Sequence, residues 1–234
     1  MKKITLTILA FLVTLICSAG VVLGGGMQGG IVVHLNCGDG QATARLAANN
    51  NCLVHGLDID AGEIRKAREH LRSKNLQGRV SVARYDGKAL PYGDNMINVL
   101  IADSLGDVAL EEVMRVLTPK GAAIVGGKKT IKPWPKEIDT WPQYLNKADN
   151  NAVAMDSVIG PPRRIQWVDE PVWSRSHMGI STFVSAVTCN GRLFSIEDRS
   201  LPDNPFLPAK FVYVARDAFN GRALWTREIE RWES

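Results

Sequence analysis

The chain has 234 residues, 45% of them hydrophobic and 22% charged, with a formal net charge of +4. That is room and apolar content for one large or two small globular domains, and it excludes a disordered or collagen-like chain. Setting aside Lys2 and Lys3 leaves 26 basic against 24 acidic residues, and no basic stripe interleaved with aromatics stands out, so nucleic acid is not an expected partner.

In chain order, Met1–Lys3 is a short positive start and Ile4–Cys17 is apolar apart from three threonines. Small residues follow at Ser18 and Ala19. This reads as a targeting segment over 1–23, either cleaved near Ala19 or retained as an N-terminal anchor, since the apolar run reaches Leu23. It predicts an exported, periplasmic or cell-envelope protein that meets membrane only through this segment. Four cysteines give no disulfide framework. Cys37 and Cys52 fall at opposite ends of neighbouring strands, too far apart for a bridge.

From 28 to 127, strands and helices alternate. Ile31–Leu35 is the first predicted strand. Asn36–Gly40 forms a Gly-x-Gly turn, Gln41–Ala48 a short helix, and Leu53–Leu57 a second strand ending at Asp58. Asp60 with Glu63 reads as a capping box, and Ile64, Ala67 and Leu71 lie on one face of the helix that follows. Val80–Arg84, Ile97–Ala102 and Ala122–Val125 are further strands, and Val108, Val113, Met114 and Leu117 line a helix stopping before Pro119. Alternation of this kind predicts an α/β, Rossmann-like, mostly parallel sheet.

The site chemistry follows from three positions. Gly38 and Gly40 let the backbone approach a ligand closely. Asp58 stands 18 residues after Gly40, near the spacing of an acid that accepts from ribose hydroxyls. Asp86, just beyond the third strand, is placed to accept from an adenine amino group. Thr43 occupies the position where a dinucleotide fingerprint wants its third glycine, which argues against NAD. His34 reads as a satisfied buried histidine. No catalytic residue and no metal site can be named. His34, His55, His70 and His177 have no ligand spacing, and Asp149 with Asn150 and Asn151 reads as a turn.

These motifs, from Val33–Gly40 through Asp58, Tyr85–Asp86, Leu90–Pro91 and Asn98–Leu100 to Glu112–Gly121, resemble the class I S-adenosylmethionine-dependent methyltransferases. The resemblance implies S-adenosylmethionine, a small-molecule methyl donor, as cofactor held by Gly38, Gly40, Asp58 and Asp86, and a transferase activity on an unnamed acceptor. Three departures accompany it. His34 replaces the usual acid of the first strand, Asn36 replaces the first glycine, and the family's closing antiparallel hairpin is absent. A vestigial Rossmann-like domain acting as a non-enzymatic scaffold or interaction module is the alternative reading.

Lys128–Thr140 is rich in Lys and Pro and reads as a linker. Beyond it helical periodicity disappears. Arg164–Val168, Thr182–Val187, Arg192–Ile196 and Phe211–Arg216 are β-prone, with Asn190-Gly191 and Asn220-Gly221 as hairpin turns. Trp141–Tyr144 and Val214–Trp225 resemble the entry segment and blade signature of quinoprotein β-propellers. Residues 141–234 would then be an incomplete propeller. Pyrroloquinoline quinone (PQQ) would require its missing blades, as would the reading of the chain as the N-terminal fragment of a quinoprotein oxidoreductase. Other protein chains are candidate partners at its open edge.

Overall fold

The computed structural model describes residues 29–48, 51–149, 151–158, 160–161, 164–170, 183–200 and 208–230. Residues 1–23, read above as a targeting segment, and His177 lie outside them. The chain divides into two compact units, Met1–Trp134 and Pro135–Ser234.

The first unit is a six-stranded sheet in the order β3-β2-β1-β4-β5-β6. Its strands are β1 (Gly30–Leu35), β2 (Cys52–Asp58), β3 (Val80–Arg84), β4 (Ile97–Ala102), β5 (Leu117–Val125) and β6 (Lys128–Ile131). The first five are parallel and β6 is antiparallel to β5. Both faces of the strands are apolar, as a sheet covered on both sides requires. Val32, Val54, Val82, Val99 and Ile101 form one core with Ile64, Ala67 and Leu71 of α2 (Ala61–Ser73). Val33, Leu35, Leu57, Leu100 and Ala123 form the other with Val113 and Val116 of α3 (Leu110–Val116). A short α1 (Gln41–Arg45) continues as a 3-10 turn over Leu46–Ala48.

Strand order reverses between β1 and β4, and in open α/β sheets ligands bind beyond the carboxyl ends of the strands at such a point. The glycine turn after Leu35 and the Asp103–Asp107 segment after Ala102 both lie there. His55 on β2 bonds the Tyr92 hydroxyl through Nδ1 at 2.7 Å, with the rings edge to face. Arg115 donates to the Leu90 and Tyr92 carbonyls and pairs with Glu112 and Asp94. These contacts hold the 90–94 segment against the second core without a helix.

The sheet differs from its sequence-based expectation beyond β4. Residues Lys128–Ile131, assigned to the linker, form β6, because Gly126 and Gly127 at φ +54 and +79 turn the chain straight back along β5. The sheet therefore closes with one antiparallel strand in place of an open side. The 110–116 helix passes directly into β5, where Leu117 pairs with Ile97 before the register shifts and Ala122 pairs with Val99.

The second unit is a four-stranded antiparallel meander, β7 (Phe183–Cys189), β8 (Arg192–Asp198), β9 (Phe211–Asp217) and β10 (Ala223–Glu228). Asn190 and Gly191 both take positive φ, which suits a two-residue hairpin turn. Residues 164–168 are not a strand. That stretch is pinned by side chains: Gln166 Nε2 donates to the Phe219 carbonyl and Trp167 Nε1 to that of Ala218.

Arg216 and Glu197 are buried in this sheet, 2% and 0% exposed. Arg216 donates to Glu197, to Asp169 and to the Glu170 carbonyl, and Arg199 also pairs with Glu197. Removing one member leaves a buried charge under-compensated. Arg216→Leu is expected to destabilise the second unit by about 3 kcal/mol, and the Arg216→Leu/Glu197→Leu double variant by clearly less. Urea unfolding followed by tryptophan fluorescence measures both.

Candidate functional site

Asp58 is the centre of the site. It ends β2, is 8% exposed, and accepts from two backbone amides, Gly38 N at 2.8 Å and Asp60 N at 2.9 Å. Its carbonyl takes the Tyr85 amide at 3.1 Å. One residue thus fixes the glycine turn, the start of α2 and the exit from β3. Asp60 caps α2 by accepting from Gly62 and Glu63 N–H groups. Glu63 pairs with Lys66, and Asp58 takes the cap amide that a capping-box Glu63 would have taken.

The turn itself needs left-handed backbone at three positions, Asn36, Gly38 and Gly40, at φ +54, +53 and +78. Asn is the residue after glycine best suited to that region, so it stands where a first glycine is usual. It also spans the switch point, with Nδ2 donating to the Ser104 carbonyl at 3.0 Å.

Gly38 and Gly40 turn out to have different jobs. A Cβ on Gly38 would meet nothing nearer than Glu63 Oε2 at 4.0 Å, so its backbone is bare towards the open side. A Cβ on Gly40 would lie 2.8 Å from Ala67 Cβ and 3.0 Å from Ala67 Cα. Gly40 therefore lets α2 pack closely onto the turn.

Asp86 is exposed, and its Oδ1 accepts from the Lys88 and Ala89 amides. Those bonds hold its carboxyl below the usual range, the Lys88 amide contributing most. Tyr85 is pushed up, first by burial and then by Asp58, Asp86 and Asp107. His34 bonds Thr43 Oγ1 through Nδ1 at 2.8 Å, and both are buried. Burial lowers its pKa, outweighing the opposing pull of Asp103 and Asp58. It is a neutral, satisfied core histidine. Cys37 is likewise buried, its thiol pushed up to about 12 by burial and by Asp58.

The structure adds one residue that sequence reasoning missed. Ile59 directly follows Asp58 and is 55% exposed, with its Cγ2 3.2 Å from where a Cβ on Gly87 would stand. Only burial distinguishes it from a core isoleucine, so no sequence signal marks it. Among the described residues no group of three or more His, Cys, Asp and Glu side chains is placed to hold a metal ion.

Residues 32–121 match the family described as "Methyltransferase domain". Over this stretch the chain is similar to methyltransferase domains. The chain is 32% identical over 141 residues to the ubiquinone/menaquinone biosynthesis C-methyltransferase UbiE of Yersinia enterocolitica, covering 56% of each chain. It is 32% identical over 152 residues to methyltransferase GfsG of Streptomyces halstedii, covering 54% of this chain and 55% of that one. The chain thus spans about half the length of the curated relatives it matches. Among solved structures, a SAM-dependent methyltransferase from Aquifex aeolicus aligns at 19% identity and a TM-score of 0.41, over 46% of this chain and 62% of that one.

Two measurements test the packing of the first unit. Gly40→Ala combines a left-handed backbone with a backbone clash and should cost about 3 kcal/mol, against about 1 kcal/mol for Gly78→Ala, where φ is +88 and the space is open. Chemical denaturation of the two variants measures the difference. His34 and His55 both have folded pKa values lowered by burial from 6.5. The unfolded chain then binds more protons below about pH 6.5, so stability is present above that pH and falls as pH falls. Thermal melts at pH 7 and pH 5 should show this loss, and His34→Gln/His55→Gln should flatten it.

Proposed function

We propose that the first unit binds S-adenosylmethionine at the Gly38–Asp58 corner and transfers its methyl group to an acceptor. The observation that carries this reading is the pairing of Asp58 with the bare Gly38 turn, inside the stretch that matches the methyltransferase family. The residues fit the cofactor. Gly38 offers open backbone to the methionine end. A carboxylate has about four acceptor positions, and the two amides leave Asp58 capacity for ribose hydroxyls. Ile59 supplies an apolar wall for a flat base. Asp86 keeps Oδ2 for an amino group while Oδ1 is held in its turn.

When bound, the cofactor supplies a methyl group activated by a sulfonium. The carboxylates of Asp58, Asp86, Asp103 and Asp107 near this corner create a negative field that suits a cation. Positioning donor and acceptor accounts for most of the catalysis such a transfer needs, so no base is assigned.

The second unit is proposed to be one blade of a quinoprotein-type propeller. Four strands in meander order and the Asp217 turn support it, with Asp217 Oδ1 accepting from the Phe219 and Asn220 amides. Neighbouring blades or other chains would complete it, and residues 1–23 would direct export.

Calorimetry on the full chain tests the main reading. S-Adenosylmethionine should bind saturably. Asp58→Ala should weaken binding by roughly tenfold to a hundredfold, the worth of hydrogen bonds to a charged group, and Asp86→Asn by less. NAD should not bind. No heat from a protein that melts cooperatively would assign the domain to a scaffold role.

A further inference from the structure

A concavity lies away from the Asp58 corner, along α1 and the C-terminal end of α2. It is an open groove of about 470 Å³ lined by Gln41, Ala44, Arg45, His70, Lys74 and Leu76. Ala44 and Leu76 pack against the first core and give it an apolar floor. Two cationic side chains, an imidazole and an amide surround that floor, and no carboxylate lines it.

Cations near a helix C-terminus often serve the last carbonyls, and that duty is already discharged here. The His70 carbonyl takes the Lys74 amide, Leu71 that of Leu76, and Arg72 that of Asn75, while Ser73 Oγ also donates to His70. Arg45, His70 and Lys74 have no side-chain hydrogen bond or ion pair among the described residues. Arg68, Arg79, Arg84 and Arg115 on the same unit are all spent on carbonyls or carboxylates. Asp39, the acid beside Gln41, is itself engaged. Its Oδ1 takes the Gln41 amide at 3.0 Å and its Oδ2 takes Gln41 Nε2 at 2.8 Å. Three unspent donors around an apolar floor, with the adjoining acid occupied, are complementary to an oxyanion borne on a small apolar body.

We propose that this groove binds a small molecule carrying a phosphate-type oxyanion, held by Arg45, Lys74 and His70 over Ala44 and Leu76. The site is independent of the methyl-donor reading, because none of its lining residues contacts Asp58 or Gly38 through a hydrogen bond.

Inorganic phosphate and pyrophosphate are titrated into the full chain by calorimetry, with chloride holding ionic strength constant. Saturable binding is expected, tighter for pyrophosphate. Arg45→Ala/Lys74→Ala should weaken it by about tenfold or more, while saturating S-adenosylmethionine leaves it unchanged. A thermal melt of the double variant checks that the fold persists. Absence of saturable binding, or binding that the folded double variant retains, overturns the proposal. Displacement of bound phosphate by S-adenosylmethionine also overturns it, by moving the anion to the other site.

Discussion

The first unit depends on a single carboxylate at the end of a strand. Asp58 accepts from the amides of Gly38 and Asp60, so the turn after β1 and the start of α2 are held by one side chain. Without it, two partly buried backbone donors would lose their partner, at a cost comparable to losing hydrogen bonds to a charged group. The corner is therefore built before any ligand arrives. What remains for a ligand is the unused part of the same carboxylate, the bare face of Gly38, and the exposed face of Ile59.

The second unit solves the opposite problem. Its sheet buries an arginine and a glutamate rather than leaving their charges to water, and Asp169, Arg199 and the Glu170 carbonyl complete the set. Such a cluster contributes little net stability over an apolar core. What it does is bind an irregular segment, 166–170, to a fixed place on the meander. Trp167 does the same through its indole N–H and the Ala218 carbonyl. The first unit positions its site through backbone turns, and the second holds its shape through side-chain polar contacts.

Much of the first unit was legible in the sequence, because periodicity and turn residues act locally. The β3 and β4 spans and the buried Ile64, Ala67 and Leu71 of α2 followed directly from pattern. Spacing placed Asp58 beside the glycine turn, but not the bond it accepts from the Gly38 amide. The rest was hidden because it depends on distant neighbours. Lysines and two prolines suggested a linker, yet Lys128–Ile131 pairs with β5 once two glycines reverse the chain. Gly40 and Gly38 are identical letters, and only Ala67 of α2 gives them different roles. Residues 164–168 carry β-prone residues but satisfy their surroundings through side chains, which no strand propensity encodes.

The antiparallel strand β6 closes one side of the sheet with Lys128 and Lys129, both exposed. An outermost strand is a template on which a second chain can add by backbone pairing. Two adjacent ammonium groups make that addition costly, since an incoming copy would bring its own pair of charges alongside. The lysine-rich stretch that breaks the compositional pattern of the domain thus also guards it against stacking with its own kind during synthesis and at high concentration.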